Sequence, residues 1–433
     1  MIYKLTKLQA EGKRIGVGII GCGAMGAGVA RQTARTPGMD VVFVADIDEK
    51  AALRGLAATG KKGITVTDPS NLPPRVPGEE TYMLLGTTEF ILEALKNSTI
   101  DAIAECSNSV YESFLYCSAA LNKKAHVILM NAEVDLVFGT TLAHLAKANG
   151  VVVTSDAGDQ HGVLATMADE IKLWGFKIVQ AGNMKGFLNR EGNYETAKFW
   201  AEKQKLSVVQ TVSYTDGTKM NIEQALIGNY LGLTPLVPGM EGPKCADIKD
   251  VLDNFSFDKY DGQGRVDYTT GVSWPGGGVY IVGENHDDEQ HFLLDYYKVS
   301  YKRPYYLFFR PYHLCHLETP RAIAQAYFDG RAVIAPPTTK MLNDVYAYAK
   351  RDLEPGTVIG HAIGGDECYG MVNESALADA DQNVPIYWFE PIDGQHTVVN
   401  VAKKKGEPLR WSDVTIPDTA FHRQLKAQQE LVK

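Results

Sequence analysis

The chain has 433 residues, of which 45% are hydrophobic and 22% charged; that is too long for one hydrophobic core and ordinary for a water-soluble protein of two or three domains. Its 43 basic and 52 acidic residues leave a net charge of −9, which argues against nucleic acid or an anionic membrane as main partner. No run approaches the roughly 18 apolar residues of a membrane span, and the N-terminus lacks the apolar stretch of a signal peptide. The six cysteines (22, 106, 117, 245, 315 and 368) are scattered without a CxxC pair, as reduced thiols are. The expectation is a cytoplasmic protein with a small-molecule ligand, no nucleic-acid partner and no membrane partner.

In chain order, apolar bursts at 15–20, 41–45, 100–104, 127–130 and 151–154 alternate with stretches of helical spacing such as 24–36 and 110–122. Strands alternating with helices predict an α/β fold, here an N-terminal doubly wound parallel sheet of the Rossmann type over residues 1–155. Residues 60–99 break the rhythm: the Pro-rich DPSNLPPRVPGEE reads as an insertion loop before the helix-like EFILEALKN. From 156 to 335, helical MADEIKLWGF, MNIEQALIGNYLG and TPRAIAQAYFDG mix with β-rich KLSVVQTVSYTDG, GGGVYIVGEN and RPYYLFFRP. This predicts a central α+β domain with an antiparallel sheet. Residues 336–433 read as a small C-terminal β-rich domain, with short β runs (TVIGHAIGG, VPIYWFE, HTVVNVAKKKGEP) and a last helix over 420–432.

The sharpest motif is Gly21-Cys22-Gly23-Ala24-Met25-Gly26, a GxGxxG placed directly after the strand IGVGII and opening a helix. Gly21 permits a tight turn, Gly23 lets a pyrophosphate approach the backbone, and Gly26 lets helix and strand pack closely. The amides of Ala24 and Met25 begin the helix whose N-terminus receives the anion. The next strand, VVFVAD, ends in Asp46, which would bond the ribose diol and repel a 2′-phosphate. NAD is therefore the expected cofactor, with Lys50 and Arg54 close enough to keep NADP open. Ser107, Asn108 and Asn131 follow later strands and are placed near ribose and nicotinamide; Ser107 and Asn108 would equally serve to cap the helix beginning near Tyr111.

Several longer motifs, GCGAMG, MNAEVDLVFG, DAGDQHG, AGNMKGFLN, GLTPLVPGMEGP, GRVDYTTGVSWPGG and FFRPYHLCHLETP, resemble the 1-deoxy-D-xylulose-5-phosphate reductoisomerase-like family over nearly the whole chain. The N-terminal half is also similar to homoserine-dehydrogenase-like domains, and AKRDLEPGTVIG is similar to SAF-type β-clip modules. The resemblance implies an NAD(P)-dependent oxidoreductase, a catalytic and dimerisation role for the central domain, and a homodimer or higher homo-oligomer. Some members are reductoisomerases of isoprenoid synthesis that use NADPH, and Mg²⁺ would be needed only for that rearrangement. Asp46 stands against the NADPH of that role.

Hydride transfer needs a group that moves the proton on the reacting oxygen. Lys185, read as following a strand and a Gly-Asn turn, is the first choice, and Lys219 the second; a solvated surface amine is the bland reading of each. Asn183 lies beside Lys185 as a substrate ligand, and Glu133, in the region where homoserine dehydrogenases carry a lysine, is a further catalytic candidate at the nicotinamide face. Asp159, just past the strand VVVTS, would orient substrate, bind a divalent cation or accept a proton, while Asp156 reads as a helix cap. Glu223, four residues after Lys219, would pair with it on one helix face. Arg310 would hold a carboxylate or phosphate, with His313 and Glu318 beside it. No further ligands match His313 and His316 in spacing, so no metal is assigned. Residues 274–278 (Trp-Pro-Gly-Gly-Gly) read as a lid or a hairpin connection. The competing readings are a reductoisomerase, a plain dehydrogenase, and a dinucleotide-binding regulatory protein without catalysis.

Overall fold

The structure, a computed structural model, describes the chain apart from residues 205, 275 and 433. Pro275 of the expected lid thus lies outside the described residues. Two compact units form: Met1–Gly162 with Leu314–Thr339, and Val163–His313 with Lys340–Lys433. They divide the chain differently from the three expected segments, since 314–339 returns to the first unit and 340–433 joins the second. Among the described residues, no helix is long and apolar enough to cross a membrane.

The first unit is a seven-stranded parallel sheet of β1 (Ile15–Ile20), β2 (Met39–Asp46), β3 (Lys62–Thr65), β4 (Glu80–Leu85), β5 (Ala102–Glu105), β6 (His126–Leu129) and β7 (Val153–Ser155). Their order is β3-β4-β2-β1-β5-β6-β7. Helices cover both faces, which is why β1 and β2 read as unbroken apolar runs rather than alternating ones. The strand order reverses between β1 and β5, and ligands of open α/β sheets bind at the carboxyl ends of strands at such a point.

The Pro-rich run is a loop and helix Thr88–Asn97 follows it, as expected, but β3 and β4, which flank the run, went unread. Buried Asp40 anchors that run: Arg75 donates to it at 2.7 Å and Lys61 at 2.5 Å. Burial pushes the Asp40 carboxyl up, but Arg75 and Lys61 outweigh it and hold the group below the usual carboxylate range. The return of 314–339 has a steric basis too. Helix Cys315–Asp329 packs on helix Ala24–Arg35, where a Cβ on Gly28 would sit 2.8 Å from the His316 ring.

The second unit is built on a mixed five-stranded sheet of β8 (Lys177–Lys185), β9 (Arg265–Thr270), β10 (Gly278–Glu284), β11 (Ser300–Lys302) and β12 (Tyr305–Arg310), in the order β11-β12-β10-β8-β9. Only β8 and β9 pair in parallel. One face buries Met184, Tyr280, Val282 and Leu307 against residues 245–260. A second ladder, β13 (Asn343–Ala349) with β14 (Cys368–Glu374), is tied to helix Thr218–Leu231: the Gly370 amide donates to Thr218 Oγ1 and the Val372 amide to Asn221 Oδ1, both at 2.9 Å. Those bonds explain why 340–433 does not stand apart.

Four local expectations change, the first being that TVIGHAIGG forms no strand, only an isolated bridge from Val358 to Val398. The Val- and Thr-rich stretch expected as β is helix Val208–Thr215, started by Ser207, whose hydroxyl accepts the Gln210 amide at 3.1 Å. A cap and tertiary packing outweigh β propensity there. VPIYWFE turns as a short 3-10 helix over Ile386–Phe389, and Gly182-Asn183 lies inside β8 rather than in a turn.

Candidate active site

At the end of β1 the chain turns through Gly21, whose φ is +81°. A Cβ on Gly21 would fall 2.4 Å from the Ser107 nitrogen, and one on Gly26 only 1.8 Å from the Gly21 carbonyl oxygen. A Cβ on Gly23 meets nothing within 4 Å, so this glycine faces open space. Helix Ala24–Arg35 begins here with Gly23 as N-cap and no side-chain cap bond. The first-turn amides, including those of Ala24 and Met25, therefore stay available to an anion. Gly26→Ala is expected to abolish dinucleotide binding and to destabilise the fold by about 1–3 kcal/mol, the usual effect of overpacking. Titration and thermal melting of that variant check it; unchanged binding would contradict the close packing.

Asp46 ends β2 half-buried beside this turn. Its Oδ2 accepts the Cys22 amide at 2.6 Å and its Oδ1 the Asp48 amide at 2.9 Å, which fixes the carboxylate at the rim of the turn. The Cys22 thiol is turned inward, where burial pushes it up to about 12 and removes it as a nucleophile.

Across the order reversal, Ser107 Oγ lies 2.8 Å from Ser113 Oγ, and Asn108 is exposed. Neither caps the following helix: Val110 is the N-cap of Tyr111–Asn122 and makes no side-chain bond. Asn131 is occupied structurally. Its Oδ1 accepts the Glu133 and Val134 amides, capping helix Ala132–Asn149, and its Nδ2 donates to Ser109 O at 2.7 Å. Glu133 sits half-buried in the first turn of that helix.

Composition did not mark Glu105, yet it lies fully buried at the end of β5, with Oε1 accepting the Ser107 amide at 3.0 Å. Burial lifts its carboxyl from 4.5 to about 7, against the Ser107 bond that favours the charge. Burial likewise lifts Asp156 and Asp135 to about 7. Asp156 is no helix cap: its Oδ2 accepts the Gly158 amide at 2.8 Å, shaping the turn that leads to Asp159. Asp159 is buried, 3.9 Å from both His161 Nδ1 and Cys315 Sγ. Glu318 is half-buried in the first turn of helix Cys315–Asp329.

These raised carboxyls set a pH dependence. Folded, they hold a proton that the unfolded chain has already released, so stability falls as pH climbs from the unfolded value toward about 7. The melting temperature should decline between about pH 5 and about pH 8, and Glu105→Gln should make the decline shallower. A melting temperature independent of pH would contradict this.

In the second unit, the β8–β10 and β10–β12 registers align Asn183 with Val279 and Val279 with Arg310. Aligned partners share a face, so Asn183 and Arg310 lie side by side, two strand spacings or about 10 Å apart, with Lys185 on the same face two residues on. Asn183 is buried and donates to Glu223 Oε2 at 3.4 Å. Glu223 and Lys219 are both buried on helix Thr218–Leu231, at the i,i+4 spacing expected. Lys185 is half-buried at the end of β8. Arg310 lies with its guanidinium 4.9 Å from the Tyr312 ring and helps wall a cleft of about 390 Å³ with Trp174 and Phe308. His313 follows β12, half-buried. The expected 310–318 cluster is thus divided: Arg310 and His313 belong to the second unit and Glu318 to the first.

Residues 158–319 match the family described as Oxidoreductase DRL, catalytic domain. Homoserine dehydrogenase of Bacillus subtilis (strain 168) is 26% identical over 197 residues, 44% of this chain and 40% of that protein. The chain thus spans well under two thirds of that relative's length. Among solved structures, a putative myo-inositol dehydrogenase from Sinorhizobium meliloti 1021 overlaps 75% of this chain and 92% of its own, at 11% identity and a TM-score of 0.41. A probable dehydrogenase from Thermotoga maritima overlaps 73% and 90%, at 14% identity and a TM-score of 0.42. Identities and TM-scores this low say nothing of substrate. Over residues 158–319, the chain is similar to an oxidoreductase catalytic domain.

Proposed function

We propose that the chain is an NAD(P)-dependent oxidoreductase, with NAD preferred, acting on a small polar hydroxy or oxo compound of the sugar-phosphate or sugar-acid type. The observation that carries the reading is the uncapped helix start at Gly23, open to an incoming pyrophosphate, with Asp46 pinned at its rim. The amides of residues 23–26 would hold the pyrophosphate, and Asp46 the ribose diol. The nicotinamide, when bound, supplies or accepts the hydride. Lys185 would give or take the proton at the reacting oxygen, as a lysine does in acid–base catalysis. Asn183 and Arg310, aligned on one sheet face, would orient the substrate's polar and anionic groups. The match over residues 158–319 supports placing these roles in that segment.

The test is a substrate panel of hydroxy acids, oxo acids, polyols and sugar phosphates with NAD or NADH, followed by nicotinamide absorbance. Turnover with at least one member is the expected result. Tight dinucleotide binding without turnover on any of them would favour a regulatory protein instead.

A further inference from the structure

We propose that Glu105 is the positioning residue of the dinucleotide loop: one of its carboxylate oxygens holds the Ser107 amide, and Ser107 in turn sets the wall facing the glycine turn. The proposal rests on the dinucleotide reading above. Glu105 ends β5, the strand beside β1 across the order reversal, and has no exposed surface. Its Oε1 accepts the Ser107 amide at 3.0 Å. The backbone on either side of Ser107 is also tethered: the Cys106 amide donates to Ile20 O at 2.7 Å, and Asn131 Nδ2 and Ser113 Oγ donate to Ser109 O at 2.7 and 2.6 Å. The Ser107 amide itself is given its place by Glu105.

That placement reaches the glycine turn by contact. The site of a Cβ on Gly21 lies 2.4 Å from Ser107 N and 2.6 Å from Ser107 Cα, so the turn and the Ser107 backbone pack without slack. A shift of Ser107 is passed to Gly21, and from there to the helix start at Gly23. Burying a carboxyl is costly, and an apolar side chain would fill a strand end without that cost. The acceptor that Glu105 provides to the part-buried Ser107 amide gives the residue its reason to be there.

The experiment compares wild type with Glu105→Gln, which keeps an acceptor oxygen, and Glu105→Met, which keeps the size without one. Glu105→Leu takes the place of Glu105→Met if that variant does not fold. NADH affinity is measured by nicotinamide fluorescence, and thermal melting is recorded alongside. Glu105→Met is expected to bind NADH at least about tenfold more weakly, and Glu105→Gln within about threefold of wild type. Both should melt at or above the wild-type temperature at about pH 8, because each removes a buried charge. Lost affinity without lost stability separates positioning from a merely structural role. Wild-type affinity in Glu105→Met, or equal losses in both variants, overturns the proposal while leaving the dinucleotide reading intact. Absence of NADH binding by the wild type overturns the dinucleotide reading, and this proposal with it.

Discussion

Replacing Lys350 by Met is expected to cost about 3–5 kcal/mol of folding stability, the scale of breaking a buried ion pair by removing one partner. Lys350 Nζ lies 2.8 Å from Asp216 Oδ2, with the two side chains 2% and 0% exposed. The ammonium also donates to Gly192 O at 2.8 Å and Gly365 O at 2.6 Å, and Asp216 Oδ1 accepts the Thr218 amide at 2.8 Å. Every polar group of the knot is met, so the pair joins strand β13 to the start of helix Thr218–Leu231 without an orphan. Burial raises the Asp216 carboxyl, and Lys350 pulls it back. With Lys350 gone, the carboxyl rises further, so the variant should regain stability on acidification as Asp216 takes up a proton. The double variant Asp216→Asn/Lys350→Met should recover part of the loss, because it leaves no uncompensated charge. Denaturant unfolding of wild type and the two variants measures this; Lys350→Met within about 1 kcal/mol of wild type would show that the pair carries little.

The second large effect concerns turnover. Lys185→Ala is expected to lower kcat by about 100-fold or more, the scale of lost acid–base catalysis, with NADH affinity unchanged. Lys185 ends β8 on the face that carries Asn183 and, through the β10 register, Arg310. Lys219 is the competing amine, buried with Glu223 on helix Thr218–Leu231. A Lys219 variant that loses turnover while Lys185→Ala keeps it would move the acid–base role to Lys219. A KM increase without a fall in kcat would make Lys185 a binding group.

Much of the first unit was legible because parallel strands buried on both faces leave unbroken apolar runs, as in IGVGII and VVFVA. The glycine turn was legible for the same reason, its spacing following one of those runs directly. β4 was hidden because its short run, TYMLL, follows a Pro-rich segment whose order depends on Arg75 and Lys61 reaching Asp40, contacts distant in sequence. Helix Val208–Thr215 was hidden by its β-branched residues, which local propensity assigns to a strand. Glu105 left only a faint sign: a carboxylate closing an apolar strand reads as a strand edge, while its burial comes from the neighbouring strands. Asn131 carries a structural duty that the sequence did not show. Its place after a strand pointed to the cofactor, yet its side chain is spent on capping the helix that follows.

On the proposed reading, Asp46 and the glycine turn select NAD. Parallel titrations of the protein with NADH and NADPH test it most directly. NADH is expected to bind at least about tenfold tighter, as a carboxylate at the ribose disfavours a 2′-phosphate. Equal or tighter binding of NADPH would contradict the role given to Asp46, and binding of neither would contradict the dinucleotide site itself.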